Sequence, residues 1–270
     1  MKVIKFTSGL LLSGFLSSTA SAHFQMIHAD NYLRDKGGNV TLQMPFTHPS
    51  KGAPMMAMSD KPLLLSLLHK GKFTDLTESL ESIQWQSEDN AVSAWQAKTR
   101  FKRLGDYVLS LAPTPYYEAS EQKYIQQFTK VIYNVGGLPT DWHKPVGAPV
   151  EIIPDQAPYS VYAGGTFSGV VLVDGKPAAG AEIEVEFLNR EVDAVGKQFL
   201  TEPLVDYPSE HLRITTIRSD NNGRFTFGIP HAGYWGFAAL DLGLPSRHQS
   251  KPLSRDAVIW IQAHELRRRK

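Results

Sequence analysis

The stretch "TFSGVVLVDGKPAAGAEIEVEFLN", residues 166–189, decides the fold class. It reads as a strand, an Asp174-Gly175 turn and a second strand. Ile183, Val185 and Phe187 fall on one face of the second strand and acids on the other. Asp-Gly between alternating runs signals a hairpin, because both central residues must take positive φ. "ITTIRSDNNGRFTFGIP" (214–230) repeats the pattern around Asn222-Gly223, and "YWGFAAL" (234–240) and "DAVIWIQAHEL" (256–266) add further strands.

Upstream, "NVTLQMPF" (39–46) alternates Val40, Leu42 and Met44 with Thr41 and Gln43. "AVSAWQAKTRF" (91–101) and "GDYVLSLAP" (105–113) alternate likewise across a short turn, and "YIQQFTKVIYNV" (124–135) follows. Period-two patterning at this spacing predicts an antiparallel sandwich. The apolar run within 58–76 fits a strand or a short helix. Residues 136–158 are rich in proline and glycine and predict a linker or irregular crossing. The expectation is an all-β chain of two β-sandwich domains, immunoglobulin-like or transthyretin-like, at 23–145 and 146–270. Such a fold decides no function by itself.

Residues 1–22 have the anatomy of a signal peptide: Lys2 and Lys5, a short apolar run, then Ala20-Ser21-Ala22. Removing 22 of the 270 residues leaves 248, and the formal charge of +1 becomes −1 without the two lysines. This balance disfavours nucleic acid as a partner, although the chain ends in the basic "RRRK" (267–270). No later stretch is apolar for long enough to span a bilayer, so the mature chain is expected in the periplasm without membrane insertion. The sequence holds no cysteine, which removes thiolate ligands and nucleophiles. It also shows no GxSxG elbow, phosphate loop or HExxH, so binding is expected, not catalysis.

Cleavage after Ala22 makes His23 the first residue. Its α-amine, titrating near about 7.7–8.0, and its imidazole, near about 6.5, are two nitrogens able to chelate one cation. Nitrogen donors suit Ni(II), Cu(II) and Zn(II). Residues 24–27 are patterned as an edge strand that would hold this terminus. Of the 9 histidines, His48 follows a strand and precedes Pro49, His231 lies in "GIPHAGYWGF", and His264 lies late in the last strand. Each could equally be a hydrogen-bonding residue without a ligand. His28, His69, His143, His211 and His248 sit in polar contexts and read as surface residues. Met55, Met56 and Met58 could bind Cu(I) or fill a core. The aromatic run 113–124 could line a pocket or pack between domains.

Taken together, "AHFQMIHAD" (22–30), "MPFTHP" (44–49), "PYYE" (115–118), "FTKVIYN" (128–134), "WHKPVGAPVEIIP" (142–154), 162–189, 220–240 and "AVIWIQAH" (257–264) resemble the NikK-type family. These are exported proteins of a domain-of-unknown-function class that accompany energy-coupling-factor nickel and cobalt transporters. The resemblance covers nearly all of the mature chain. It implies a periplasmic accessory protein that binds Ni(II) or Co(II) as cargo and passes it to an inner-membrane importer of the ABC class. It also implies that His23, His48, His231 and His264 act jointly at the metal. The methionine cluster and the basic tail are not family features and leave the metal's identity open. A copper-handling sandwich protein and a structural or glycan-binding module are the alternatives.

Overall fold

A computed structural model describes residues 23–266. The signal peptide expected at 1–22 and the basic tail at 267–270 lie outside the described residues. Among them the chain is built from β-strands and two short 3-10 turns, with no α-helix.

The largest sheet has 12 strands. Its main path runs Ile214–Arg218, Glu182–Phe187, Gly233–Ala239, Lys251–His264, Lys123–Val135, Gly105–Ala112, Leu64–His69 and Lys72–Asp75. A 5-stranded sheet, in the order Arg190–Asp193, Gln198–Pro203, Leu80–Gln86, Ala91–Phe101 and Gly38–Met44, covers one half of it. A 4-stranded sheet, with Val150–Pro154, Thr166–Val173 and Arg224–Gly228, covers the other half. The layers meet through aromatic rings. Phe101 stacks on Tyr107 at 4.0 Å, and Phe167 packs on Phe237 at 4.8 Å. The fold is therefore all-β, two sandwiches side by side.

The two halves are not separated by a break in hydrogen bonding. Lys123–Val135 pairs in parallel with Lys251–His264, from Tyr124↔Leu253 to Val131↔Trp260. In return, the 198–203 strand reaches back to pair at Gln198↔Gln86. The region 136–158, expected as linker, contains the Val150–Pro154 strand, whose Glu151 makes a buried ion pair with Lys130 at 2.6 Å. The run at 58–76 resolves as a hairpin, Leu64–His69 and Lys72–Asp75, turning at Lys70-Gly71 with φ of 51° and 75°.

Three expectations need correction. The Asp174-Gly175 turn does close a hairpin, but only for Leu172↔Pro177 and Val173↔Lys176. The chain then crosses to the other layer, so Glu182–Phe187 pairs with other strands. Around Asn222-Gly223 the flanking strands likewise join different sheets, as do 91–101 and 105–112. Third, the acidic face of 182–187, opposite Ile183, Val185 and Phe187, is not a solvent face, because Glu184 and Glu186 are buried. Glu186 is met there by the turn that follows His48, through the Ser50 amide. The N-terminal segment, expected as an edge strand, pairs antiparallel with residues 43–47 at Phe24↔Thr47, Gln25↔Phe46 and the bridge His28↔Gln43, and residues 23–29 form a buried strap.

Candidate functional site

The strap crosses the face formed by Glu186, Gly236, Trp260 and Gln127, and side chains of that face hold it. Gln127 does most of this, accepting from the Gln25 amide at 2.8 Å and donating to the His23 carbonyl. Trp260 Nε1 donates to the Gln25 carbonyl at 2.9 Å, and Tyr133 donates to the Ile27 carbonyl at 3.2 Å. Phe24 lies over Gly236, where a Cβ would come within 2.7 Å of its ring. Glycine at 236 is thus what lets the strap lie flat.

Two short paired strands bring the sequence-picked residues together. Phe24–Gln25 pairs with Phe46–Thr47 in the register Phe24↔Thr47. The residues just outside that pair, His23 and His48, are therefore neighbours, with ring centroids 4.4 Å apart. A turn follows His48: the amides of Lys51 and Gly52 donate to its carbonyl at 3.1 and 2.7 Å. Asn189 donates to the Pro49 carbonyl at 3.0 Å, and the Ser50 amide donates to Glu186 Oε2 at 3.0 Å.

The third member was not singled out from the sequence. Glu118 Oε2 stands 3.4 Å from His23 Nε2, while its Oε1 accepts from the Ser120 amide at 2.9 Å. Its only trace in the sequence is "PYYE", which by itself reads as an aromatic run. Burial works to raise the Glu118 carboxyl, but Ser120, His23 and His48 outweigh it and hold the group below its usual range. Burial lowers the His23 imidazole below its ordinary value, and Lys123 adds to this against the pull of Glu118. His23 is thus a neutral imidazole at neutral pH, the form a metal requires.

Phe46 and Tyr116 wall this group, 5.6 and 6.2 Å from the His23 ring. Met56 and Met58 pack in one buried cluster with Phe46, against Tyr116 and Trp95. Beyond Tyr116 opens a cleft of about 410 Å³ lined by Met58, Tyr116, Tyr117, Tyr124 and His248. The aromatic run 113–124 thus lines an open cleft beside the histidine pair.

His231 and His264 stand elsewhere. His231 packs on Phe187 at 4.1 Å and Trp235 at 4.9 Å. Phe187 and Trp235 are register partners, so both project opposite to Glu186 and Gly236 and away from the strap. His264 donates from Nε2 to the Tyr159 carbonyl at 2.9 Å. It lies eight residues along its strand from Asp256, which Gln127 contacts, about 26 Å at a rise of roughly 3.3 Å per residue. Among the described residues, no three His, Asp or Glu side chains are grouped as metal ligands. His28, expected at the surface, is buried 3.8 Å from Asp30 and against Tyr234. His143 and His211 are exposed, and His69 and His248 are half-buried.

Among solved structures, similarity is spread thinly over long stretches. The D0-D1 domain of intimin shares 12% identity over 89% of this chain and 99% of its own, with a TM-score of 0.21. Elastase-activated alpha-2-macroglobulin from Escherichia coli shares 15% over 90% of this chain and 20% of its own, at 0.25. The tandem V-type regions of the chitin-binding protein VCBP3 share 11% over 88% and 98%, at 0.23. No curated protein matches the chain. No helix among the described residues is long and apolar enough to cross a membrane. Residues 20–242, which include the strap, His48, Glu118 and His231, match the family described as Domain of unknown function (DUF4198), and the chain belongs to that family.

Proposed function

We propose that the exported chain captures a divalent transition-metal ion, Ni(II) or Co(II), at its own first residue and hands it to an inner-membrane importer of the energy-coupling-factor type. The observation that supports this most is the approach of His48 and Glu118 to His23. A carboxylate only accepts, so Glu118 favours the tautomer with the proton on Nε2 of His23. That leaves the lone pair on Nδ1, the nitrogen nearest the α-amine of the same residue. Amine and Nδ1 close a chelate ring on one cation, and the His48 imidazole offers a third nitrogen. Glu118 acts as the outer partner that fixes the ring's tautomer and raises its basicity. The amine exists only after the bond following Ala22 is cut, so capture depends on export. His231 faces away from this donor set and His264 lies about 26 Å along its strand from it, so both stay outside.

The test compares the protein starting at His23, its first residue verified by mass, with a form carrying one extra residue before His23. Calorimetric titration with Ni(II) should show binding at least about tenfold weaker in the extended form. Equal affinities would sink the proposal.

A copper reading is favoured by one observation: Met56 and Met58 share a buried cluster with Phe46, whose ring also flanks His23. Thioethers select Cu(I). Cu(I) competition assays on Met56→Leu and Met58→Leu decide it; unchanged Cu(I) affinity removes copper from consideration.

A further inference from the structure

We infer that the end of the molecule remote from His23 docks on an anionic phospholipid bilayer. The observation is an open cleft of about 680 Å³ whose lining includes Lys70, Lys72, Arg100, Lys102 and Arg103 and no acidic residue. Its floor is apolar, made by Leu67, Leu76 and Tyr107. All five cations are exposed, and none of them takes part in an ion pair among the described residues. Two acids at this end are occupied within the fold: Asp141 holds the Lys70 and Gly71 amides and Lys144, and Asp106 is buried. A chain of nearly balanced charge has thus gathered uncompensated positive charge at one place.

Large apolar side chains are exposed at the same end. Phe73, next to Lys72, is 52% exposed, and Leu104, next to Arg103, is also 52% exposed. Leu104 lies over Gly136, and Leu138 and Leu33 are exposed near by, Leu33 paired with Asn134. Cations of the cleft with exposed Phe and Leu beside them at the same end of the sheet match a headgroup layer over its acyl boundary. Lysine is depleted in protein–protein interfaces, which argues against a protein occupant of a surface with three lysines. The surface sits at the far end of the central strand from His23. Gln127, which holds His23, is eight residues or about 26 Å from Val135, the strand's last residue. Docking would leave the histidine pair free.

The test uses the protein purified after export and two sets of vesicles, pure phosphatidylcholine and an equal mixture with phosphatidylglycerol. Co-sedimentation should occur with the mixed vesicles only. It should weaken between ~0.1 M and ~1 M salt, where the screening length falls from about 10 Å to about 3 Å. Lys72→Ala with Lys102→Ala should lower partitioning about 25-fold, at about fivefold per basic residue near the surface. Both side chains are exposed, so the melting temperature should hold, and Phe73→Ser should lower binding further. Equal binding to pure phosphatidylcholine, or unchanged binding by the double variant, overturns the inference. So does displacement by soluble glycerol phosphate, which would mark a free-anion site, or retention on polyglutamate without vesicle binding, which would mark an acidic protein partner. None of these outcomes depends on metal binding at His23.

Discussion

Replacing Glu186 by glutamine probes the face that the strap covers. Glu186 is wholly buried, accepts from the Ser50 amide at Oε2, and has no hydrogen-bond partner at Oε1. Burial pushes its carboxyl from 4.5 up to about 7; Glu184 adds to the rise, and Ser50 and Lys51 oppose it. An acid raised in this way holds its proton more tightly in the folded chain than in the unfolded one. Its stabilising effect is therefore complete below pH 4.5 and is lost as pH climbs through about 7. A rise of that size corresponds to roughly 3 kcal/mol, and full burial leaves little solvent screening to reduce it. Glutamine keeps an acceptor for Ser50 and cannot ionise. Urea unfolding of both proteins at several pH values isolates the effect, because every other titrating group cancels in the difference. From about pH 5 to about pH 8 the wild type should lose roughly 3 kcal/mol relative to Glu186→Gln. A difference that stays flat across that range would refute the reasoning, since the carboxylate would then be solvated in the folded state.

Three further predictions concern the strap and the proposed metal site. Glu118→Gln offers His23 Nε2 an amide that can donate as well as accept, which releases the tautomer; Ni(II) affinity should fall about 10–100-fold, measured by calorimetry. In wild type, affinity should fall roughly tenfold per pH unit below the amine's value of about 7.7–8.0, with the His23 imidazole contributing only below its ordinary 6.5 because burial lowers it. A flat profile between about pH 8 and about pH 6 would exclude the amine as a ligand. Gly236→Ala places a Cβ 2.7 Å from the Phe24 ring and 3.2 Å from Trp260. Overpacking of this kind costs about 1–3 kcal/mol and should lower the melting temperature, so an unchanged melt would show that the strap does not press on the sheet.

The strands were legible in the sequence and their partners were not. Alternation places Val40, Leu42 and Met44 on a buried face, as found, because side-chain direction is a property of each residue's own backbone. Pairing depends on what lies across the sandwich. Asp174-Gly175 reverses the chain as its positive φ values require, yet nothing in two turn residues tells the chain at 178–181 to leave that sheet. Glu184 and Glu186 show the same limit. Period two separates them from Ile183, Val185 and Phe187, but it does not reveal that both will be buried or that the Ser50 amide will meet Glu186. His23 and His48 were visible as candidates one by one. Their meeting follows from the register Phe24↔Thr47, and Glu118 joins them only because Tyr116–Glu118 pairs with Lys123–Val135. His231 carried the same local signals as His48, a proline neighbour and a strand end, and it faces the other side of the sheet. Motif and position therefore had equal standing until one side chain, Gln127, fixed where the strap begins. By accepting from Gln25 and donating to His23, it holds the first peptide units against the sheet. A nitrogen at that terminus would then meet the His48 ring in a fixed geometry, instead of sampling solvent as a frayed end.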